Sequence, residues 1–317
     1  MYKQLTLEQR YILYTLKQEK FSQREIAKRL SVNVSTVSRE LRRNSGGNGY
    51  HPKQAHHLAM NRRVKCRKPS KLTSENIRVI NRYLRMDWSP EQISGFMKKS
   101  GEFEISHETI YKHIWLNKAN GGYLYKHLRI KYRNRCKKYG TGKRVVIPNK
   151  KSIDERPSIV EERSRIGDWE LDTIMPGRGG KHILVTMVER RSRYTRIEKI
   201  TSKDACATAR GIIRALSSVK GKVFTLTSDN GCEFFCHKLI SKAIGAEYYF
   251  AHPYKAWERG LNENTNGLIR QYFPKKTIFE HLTRKDLVKV TNRLNNRPRK
   301  SLGYKTPKEY FYSLSLD

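Results

Sequence analysis

The order of elements beyond residue 153 constrains this chain more than any other feature. "DWELDTIM" (168–175) and "KHILVTMVER" (181–190) have the composition and alternation of strands. Pro176-Gly177 and Gly179-Gly180 separate them as a turn. "YTRIEKI" (194–200) reads as a third strand. "SKDACATARGIIRAL" (202–216) is helical, with Ala205, Ala209, Ile212, Ile213 and Leu216 on its inner face. "KVFTLTSD" (222–229) is a fourth strand, "EFFCHKLISKAI" (233–244) a helix and "AEYYF" (246–250) a fifth strand, and a further helix runs from Gly260 towards Tyr272. The order β-β-β-α-β-α-β-α is a hairpin meander followed by alternating units. It predicts an α/β domain over 153–317 in which helices pack on a mixed five-stranded sheet.

The first half has a different period. "FSQREIAKRLSVNVSTVSRELRRN" (21–44) opens on a Ser22 cap and carries Ile26, Ala27 and Leu30 at helical spacing. After a break at Ser31–Asn33, Ser35-Thr36 opens a second helix with Val37 and Leu41 inward. "WSPEQISGFMKKSGEFEISHETIYKHIW" (88–115) repeats the plan: Ser89-Pro90 caps one helix and Ser106 the next, and Thr36, Val37 and Leu41 align with Thr109, Ile110 and Ile114. One such match is consistent with a plain pair of core helices. Two in a basic region predict tandem helix–turn–helix units, an all-α region with domains at 1–50 and 51–120. The second helix of such a unit presents its N-terminal residues to base edges. Ser35, Thr36 and Arg39, with Arg42 and Arg43 trailing, are then the candidate DNA contacts of the first unit, and His107, Thr109, Lys112 and His113 those of the second. Residues 116–150 lose periodicity, and 121–152, with "KYRNRCKKYGTGKR" (131–144), reads as a basic linker, either a solvated tether or a grip on phosphate.

Charge supports a polyanion partner. The chain carries 66 Lys and Arg against 29 Asp and Glu, a formal net charge of +37. Residues 1–150 hold 34 and 10 of these, and residues 151–317 hold 32 and 19. Such an excess attracts phosphate backbones. No apolar run of about 18 residues suggests a membrane span, and the N-terminus lacks a signal-peptide pattern, so a cytoplasmic, nucleoid-associated protein is expected. Of the five cysteines, Cys232 and Cys236 stand with His237 in a C-x3-C-H cluster. A zinc site needs about four ligands, so free thiols are the expectation.

Three carboxylates stand out in this basic background. Asp172 lies in the first strand, Asp229 ends the fourth, and Glu263 begins the helix after the fifth, at separations of 57 and 34 positions. Only the fold can bring them together. If it does, they repel unless a divalent cation neutralises them, and oxygen ligands suit Mg²⁺, with Mn²⁺ as a substitute. Two such ions activate an attacking oxygen and stabilise a leaving one. Each acid also has a plain structural reading. Asp229 before Asn-Gly suits a turn, Glu263 suits a first helical turn, and alternation alone does not choose between Asp168, Glu170 and Asp172, which share one face.

At these residues the sequence resembles a known family. "WELDTI", "TSDNGCEF" and "HPYKAWERGLNENTNGLIRQYFPK" are similar to the three catalytic segments of DDE transposases of the insertion sequence 30 family, which carry a retroviral-integrase-like core. "IPNKKSIDERPSIVEERSRIGDWELDTI" (147–174) and the paired helix–turn–helix units fit the same family. The resemblance implies a ribonuclease-H-like catalytic domain with Asp172, Asp229 and Glu263 as catalytic metal ligands. Its aromatic-x-x-Asp pattern favours Asp172 over its neighbours, and Glu258 does not match. Arg270, seven positions after Glu263, matches a basic residue that touches DNA. The implied function is a Mg²⁺-dependent transposase that binds terminal inverted repeats, cleaves and transfers strands into target DNA, and works at least as a homodimer. The alternatives are a helix–turn–helix transcriptional repressor, which leaves the acids unexplained, and a structure-specific nuclease without strand transfer. The "NRLNNRPRKSLGYKTPKEYF" tail (292–311) is expected to be a helix followed by a loop.

Overall fold

A computed structural model describes residues 4–66, 71–129, 147–148, 150–253 and 255–313. The chain divides into two compact units, Met1–Ser70 and Lys71–Asp317.

The first unit holds α1 (Leu7–Gln18), α2 (Gln23–Arg29), α3 (Val34–Asn44) and α4 (Pro52–Lys65). Ser22 and Glu25 close a capping box on α2, which satisfies two amide donors that the helix itself leaves open. The second helix of the unit begins earlier than expected. Asn33 caps it, accepting a 2.9 Å hydrogen bond from the Ser35 amide, so Ser35 and Thr36 lie inside the first turn. Leu13, Leu16, Ile26, Ala27, Leu30 and Val37 form the core. Ala55 of α4 packs into the same cluster, so this unit continues past the expected boundary at residue 50. A buried Arg10–Glu40 pair at 2.6 Å ties α1 to α3.

The second unit begins with α5 (Ser74–Arg85), α6 (Pro90–Ser100) and α7 (His107–Ala119). Ile80, Leu84, Ile93, Met97, Ile110 and Ile114 make its helical core, with Leu124 and Leu128 added from the segment expected to be linker. That segment is therefore structured at its start. The basic run 131–144 lies outside the described residues.

The sheet contains β1 (Lys151–Ser152), β2 (Asp168–Ile174), β3 (Ile183–Glu189), β4 (Thr195–Ile200), β5 (Thr225–Ser228) and β6 (Glu247–Phe250) in the order β1-β6-β5-β2-β3-β4. β2, β3 and β4 pair antiparallel. β5 runs parallel to β2, and β6 parallel to β5. This is the mixed sheet of the expected ribonuclease-H-like domain, with six strands where five were predicted. The extra strand, β1, pairs Lys151 and Ser152 with Tyr249 and Phe250, and two residues are too few to show a period of two.

A short helix, α8 (Ser158–Glu162), precedes β2, and longer helices cover both faces of the sheet. Trp169 and Leu171 point into a cluster with Ile212 and Leu216 of α9 (Ala205–Leu216) and Ile240 and Ile244 of α10 (His237–Ile244). Ile174 and Leu184 meet Leu268 and Ile269 of α11 (Gly260–Tyr272) and Leu287, Val290 and Leu294 of α12 (Arg284–Asn295) on the other face. The tail departs from its expected form. α12 is nearly complete by residue 292, and the chain returns to a helix, α13 (Pro307–Ser313), whose Phe311 is fully buried and stacks on Tyr194 with ring centroids 4.6 Å apart.

Asp87 fastens the α5–α7 group to this layer. It is buried, with φ of 64°, and accepts hydrogen bonds from His127 (2.8 Å), Tyr272 (2.9 Å) and Arg293. Close contact explains one glycine: a Cβ on Gly95 of α6 would fall 2.0 Å from the Tyr304 ring.

Candidate active site

β2 is a central strand, and period two sends Asp168, Glu170 and Asp172 to the face that α11 covers. Burial separates them. Asp168 is 1% exposed and accepts from Arg165 (3.0 and 3.1 Å) and from the Thr225 hydroxyl (2.7 Å). Glu170, also 1% exposed, pairs with Arg190 at 2.9 Å and accepts the Asn262 amide at 3.3 Å, which holds the N-terminal turn of α11. Burial pushes the Glu170 carboxyl up, and Arg190 pulls it back. Asp172 alone of the three reaches solvent, with a side chain 22% exposed.

Asp229 follows directly on β5, whose parallel register with β2 carries both strand ends to the same edge of the sheet. The turn is made as its sequence suggests. The Asp229 carboxylate accepts the Gly231 amide at 3.3 Å, and the Asn230 side chain donates to the Ala251 carbonyl at 2.7 Å. Asp172 and Asp229 are brought together, and one guanidinium lies between them. Arg259 Nη1 stands 3.5 Å from Asp172 Oδ1 and its Nη2 3.2 Å from Asp229 Oδ2. Burial pushes the Asp172 carboxyl up, Arg259 draws it down, and Asp229 pushes it up again. Asn266 of α11 orients Asp172, donating to Oδ2 at 2.8 Å while accepting from the Thr186 hydroxyl at 3.0 Å.

Glu263 occupies the first turn of α11 and is exposed. It has no hydrogen bond or ion pair among the described residues, and no three His, Cys, Asp or Glu side chains there stand close enough together to hold a metal ion. Two of the three predicted acids therefore meet, and the third stands off. The donor chemistry nevertheless fits a hard divalent ion: two carboxylates offer oxygen only, and a cationic group already lies between them.

Other expectations land differently. Arg270 is half-buried, and its Nη2 donates to the Met175 carbonyl at 2.5 Å, just past β2. It clasps the strand end rather than projecting freely. In the first unit Arg39, Arg42 and Arg43 are exposed on α3, while Ser35 and Thr36 are partly buried. On α7, His107 and Lys112 are exposed, and Thr109 joins the Ser106 cap at 2.9 Å. His113 does not share that exposed face. It turns to α5, bonding Asn81 at 2.9 Å, and burial pushes its pKa down. Cys236 approaches Cys206 of α9, with Sγ atoms 3.3 Å apart. His237 is buried against Tyr248 and Phe250. Among the described residues these groups form no metal cluster.

Arg259, Asn266 and Arg190 are site residues that the sequence did not single out, and Glu170, an alternative to Asp172 there, holds the start of α11 instead. An Arg four positions before Glu263 was a signal available for the first of them.

The N-terminus matches a helix-turn-helix domain family over residues 1–44. The chain is 41% identical to the transposase for insertion sequence element IS4351 of Bacteroides fragilis, over 98% of this chain and 96% of that one. It is 37% identical to transposase InsI for element IS30A of Escherichia coli K12, over 96% and 82% respectively. It is 34% identical to the transposase for element IS1086 of Cupriavidus metallidurans, over 96% and 93%. Among solved structures, the catalytic core domain of BIV integrase is similar at 22% identity and a TM-score of 0.36, covering 46% of this chain and 93% of that one. Identity at this level along almost the whole length makes the family plain: the chain belongs to the insertion sequence 30 family of transposases.

Proposed function

We propose that this transposase binds the terminal inverted repeats of its element through the helix–turn–helix units. Asp172, Asp229 and Glu263 then serve the cleavage of a phosphodiester, and the freed 3′-hydroxyl is joined to target DNA. One observation carries this reading: two carboxylates 57 positions apart meet at one edge of the sheet and share a cation.

Asp172, Asp229 and Glu263 would hold a divalent cation, Mg²⁺ or Mn²⁺, as a pair of ions in the fullest form. Such an ion supplies Lewis-acid polarisation of the phosphodiester. The chain's own groups do the positioning. Asn266 fixes the orientation of Asp172. Glu170 holds the start of α11 and with it the backbone that bears Glu263. Arg270 pins the chain leaving β2. Exposed Arg39, Arg42 and Arg43 suit phosphate contact. Because two element ends must be held together, the working form is at least a homodimer, acting on the DNA of a bacterial cytoplasm.

The test uses the purified chain, a labelled inverted-repeat fragment, Mg²⁺ and a target duplex. Nicking at the element end followed by joining is expected. Binding without metal-dependent cutting would instead favour a repressor, and cutting without joining a nuclease.

A further inference from the structure

Arg259 is held more loosely than two other arginines that pair with carboxylates of β2. Arg165 grips Asp168 with two donors at 3.0 and 3.1 Å, and Arg190 meets Glu170 at 2.9 Å. Arg259 reaches its two carboxylates only at 3.2 and 3.5 Å and shares Nη1 with the Leu171 carbonyl at 3.3 Å. Its buried Nε has no partner among the described residues, a feature it shares with Arg190, so the contrast lies in the longer carboxylate distances. Strong guanidinium–carboxylate pairs are bidentate and shorter, about 2.8 Å, so the seat is a poor fit for this side chain. The charge balance is also incomplete. Two carboxylates face this one guanidinium; the Asp229 side chain is 42% exposed, but those of Asp172 and Arg259 are only 22% and 13% exposed, and partly desolvated surroundings penalise unmatched charge. A divalent cation would close that balance.

Arg259 also sits at a joint. It is the residue before α11, with φ of −124° and ψ of 38°, and its side chain makes no helix cap. Rotation about its own side-chain bonds would withdraw the guanidinium without breaking a helical hydrogen bond.

We infer that Arg259 is a resident counter-cation that occupies the seat between Asp172 and Asp229, and that a divalent ion loads by displacing it. This inference rests on the proposed role of those two carboxylates. Arg259 is a positioning residue here: it keeps the pair together and its charge matched while no ion is bound.

The experiment measures Mn²⁺ binding to the full chain without DNA, by the loss of the free-ion electron paramagnetic resonance signal. Arg259→Gln removes the competing charge and is expected to bind Mn²⁺ about tenfold tighter or more than wild type, or about 1.4 kcal/mol. Arg259→Lys keeps the charge as a single point and should fall between. Asp229→Asn should weaken binding in both the wild-type and the Arg259→Gln background. Equal affinity in wild type, Arg259→Gln and Arg259→Lys, with Asp229→Asn still weakening all three, overturns the inference and leaves the carboxylate assignment standing. Weaker binding by Arg259→Gln, with a far-UV circular dichroism spectrum like wild type, also overturns it. Should Arg259→Gln prove unfolded, the comparison of wild type with Arg259→Lys decides. Binding that ignores Asp229→Asn overturns the carboxylate assignment, and the inference with it.

Discussion

Removing the Glu170 carboxylate should be among the most damaging single changes in the sheet. Its side chain is 1% exposed, and those of Arg190 and Arg156 nearby are 3% and 1% exposed. Glu170 bonds Arg190 directly. Arg156 donates to Thr227 at 2.9 Å, and its pKa is pushed down to about 10, by burial first and by Arg190 second. In Glu170→Ala both guanidiniums keep only Glu161 as a bonded acid, and Glu161 is 65% exposed. Breaking a buried pair from one side costs about 3–5 kcal/mol. For a unit of this size each kcal/mol lowers Tm by about 2–4 °C, so a loss of roughly 10 °C is expected in scanning calorimetry. Glu170→Gln keeps the volume and an acceptor for the Asn262 amide, and should lose less, about 1.5–3 kcal/mol. Amide exchange at Asn262 should quicken in Glu170→Ala beyond what global destabilisation explains, because its acceptor is gone. A Tm loss under about 2 °C would refute the reasoning, since it would mean that the guanidiniums are hydrated or paired elsewhere.

Asn266→Ala should lower the rate of DNA cutting about tenfold with unchanged DNA affinity, because Asp172 loses its 2.8 Å donor; an unchanged rate in single-turnover kinetics would remove Asn266 from the site. His252 lies between Glu258 and Asp154, 2.9 Å from each, and these bonds, Glu258 first, raise its pKa. The sign follows. A raised folded pKa means that its contribution is present in full below the ordinary histidine value of about 6.5 and is lost as pH rises through the higher folded value. An NMR titration of His252 should show a midpoint above the ordinary value, and Glu258→Gln should return it; a midpoint at or below the ordinary value contradicts this. Diamide, by taking two electrons and two protons from Cys206 and Cys236, should close one disulfide between sulfurs now 3.3 Å apart. Thiol titration should then fall by two, and Cys206→Ser should prevent that loss.

Much of the sheet was legible because runs rich in β-branched and apolar residues, bounded by turn pairs, mark strands even where both faces are buried, and β2 to β6 fall where those runs put them. β1 was not, being two residues held only by pairing with β6. The choice among Asp168, Glu170 and Asp172 was illegible from alternation alone. It is made by partners that alternation does not reveal: Arg165, Thr225, Arg190 and the Asn262 amide take the first two. His113 has the spacing of an exposed recognition residue, yet Asn81 on another helix captures it. Arg270 likewise finds a carbonyl of the strand end. The pattern around Asp229 was read correctly as a turn, but nothing local showed that a guanidinium 30 positions later would sit on it. Periodicity records burial against a layer, whereas polar partners depend on which layers meet.

The proposed role of Asp229, with Asp172 and Glu263, in DNA cleavage is tested by comparing wild type and Asp229→Asn on one labelled inverted-repeat fragment with Mg²⁺, reading binding by mobility shift and cutting on a denaturing gel. Equal binding and no cutting by the variant are expected. Cutting at the wild-type rate would contradict that role.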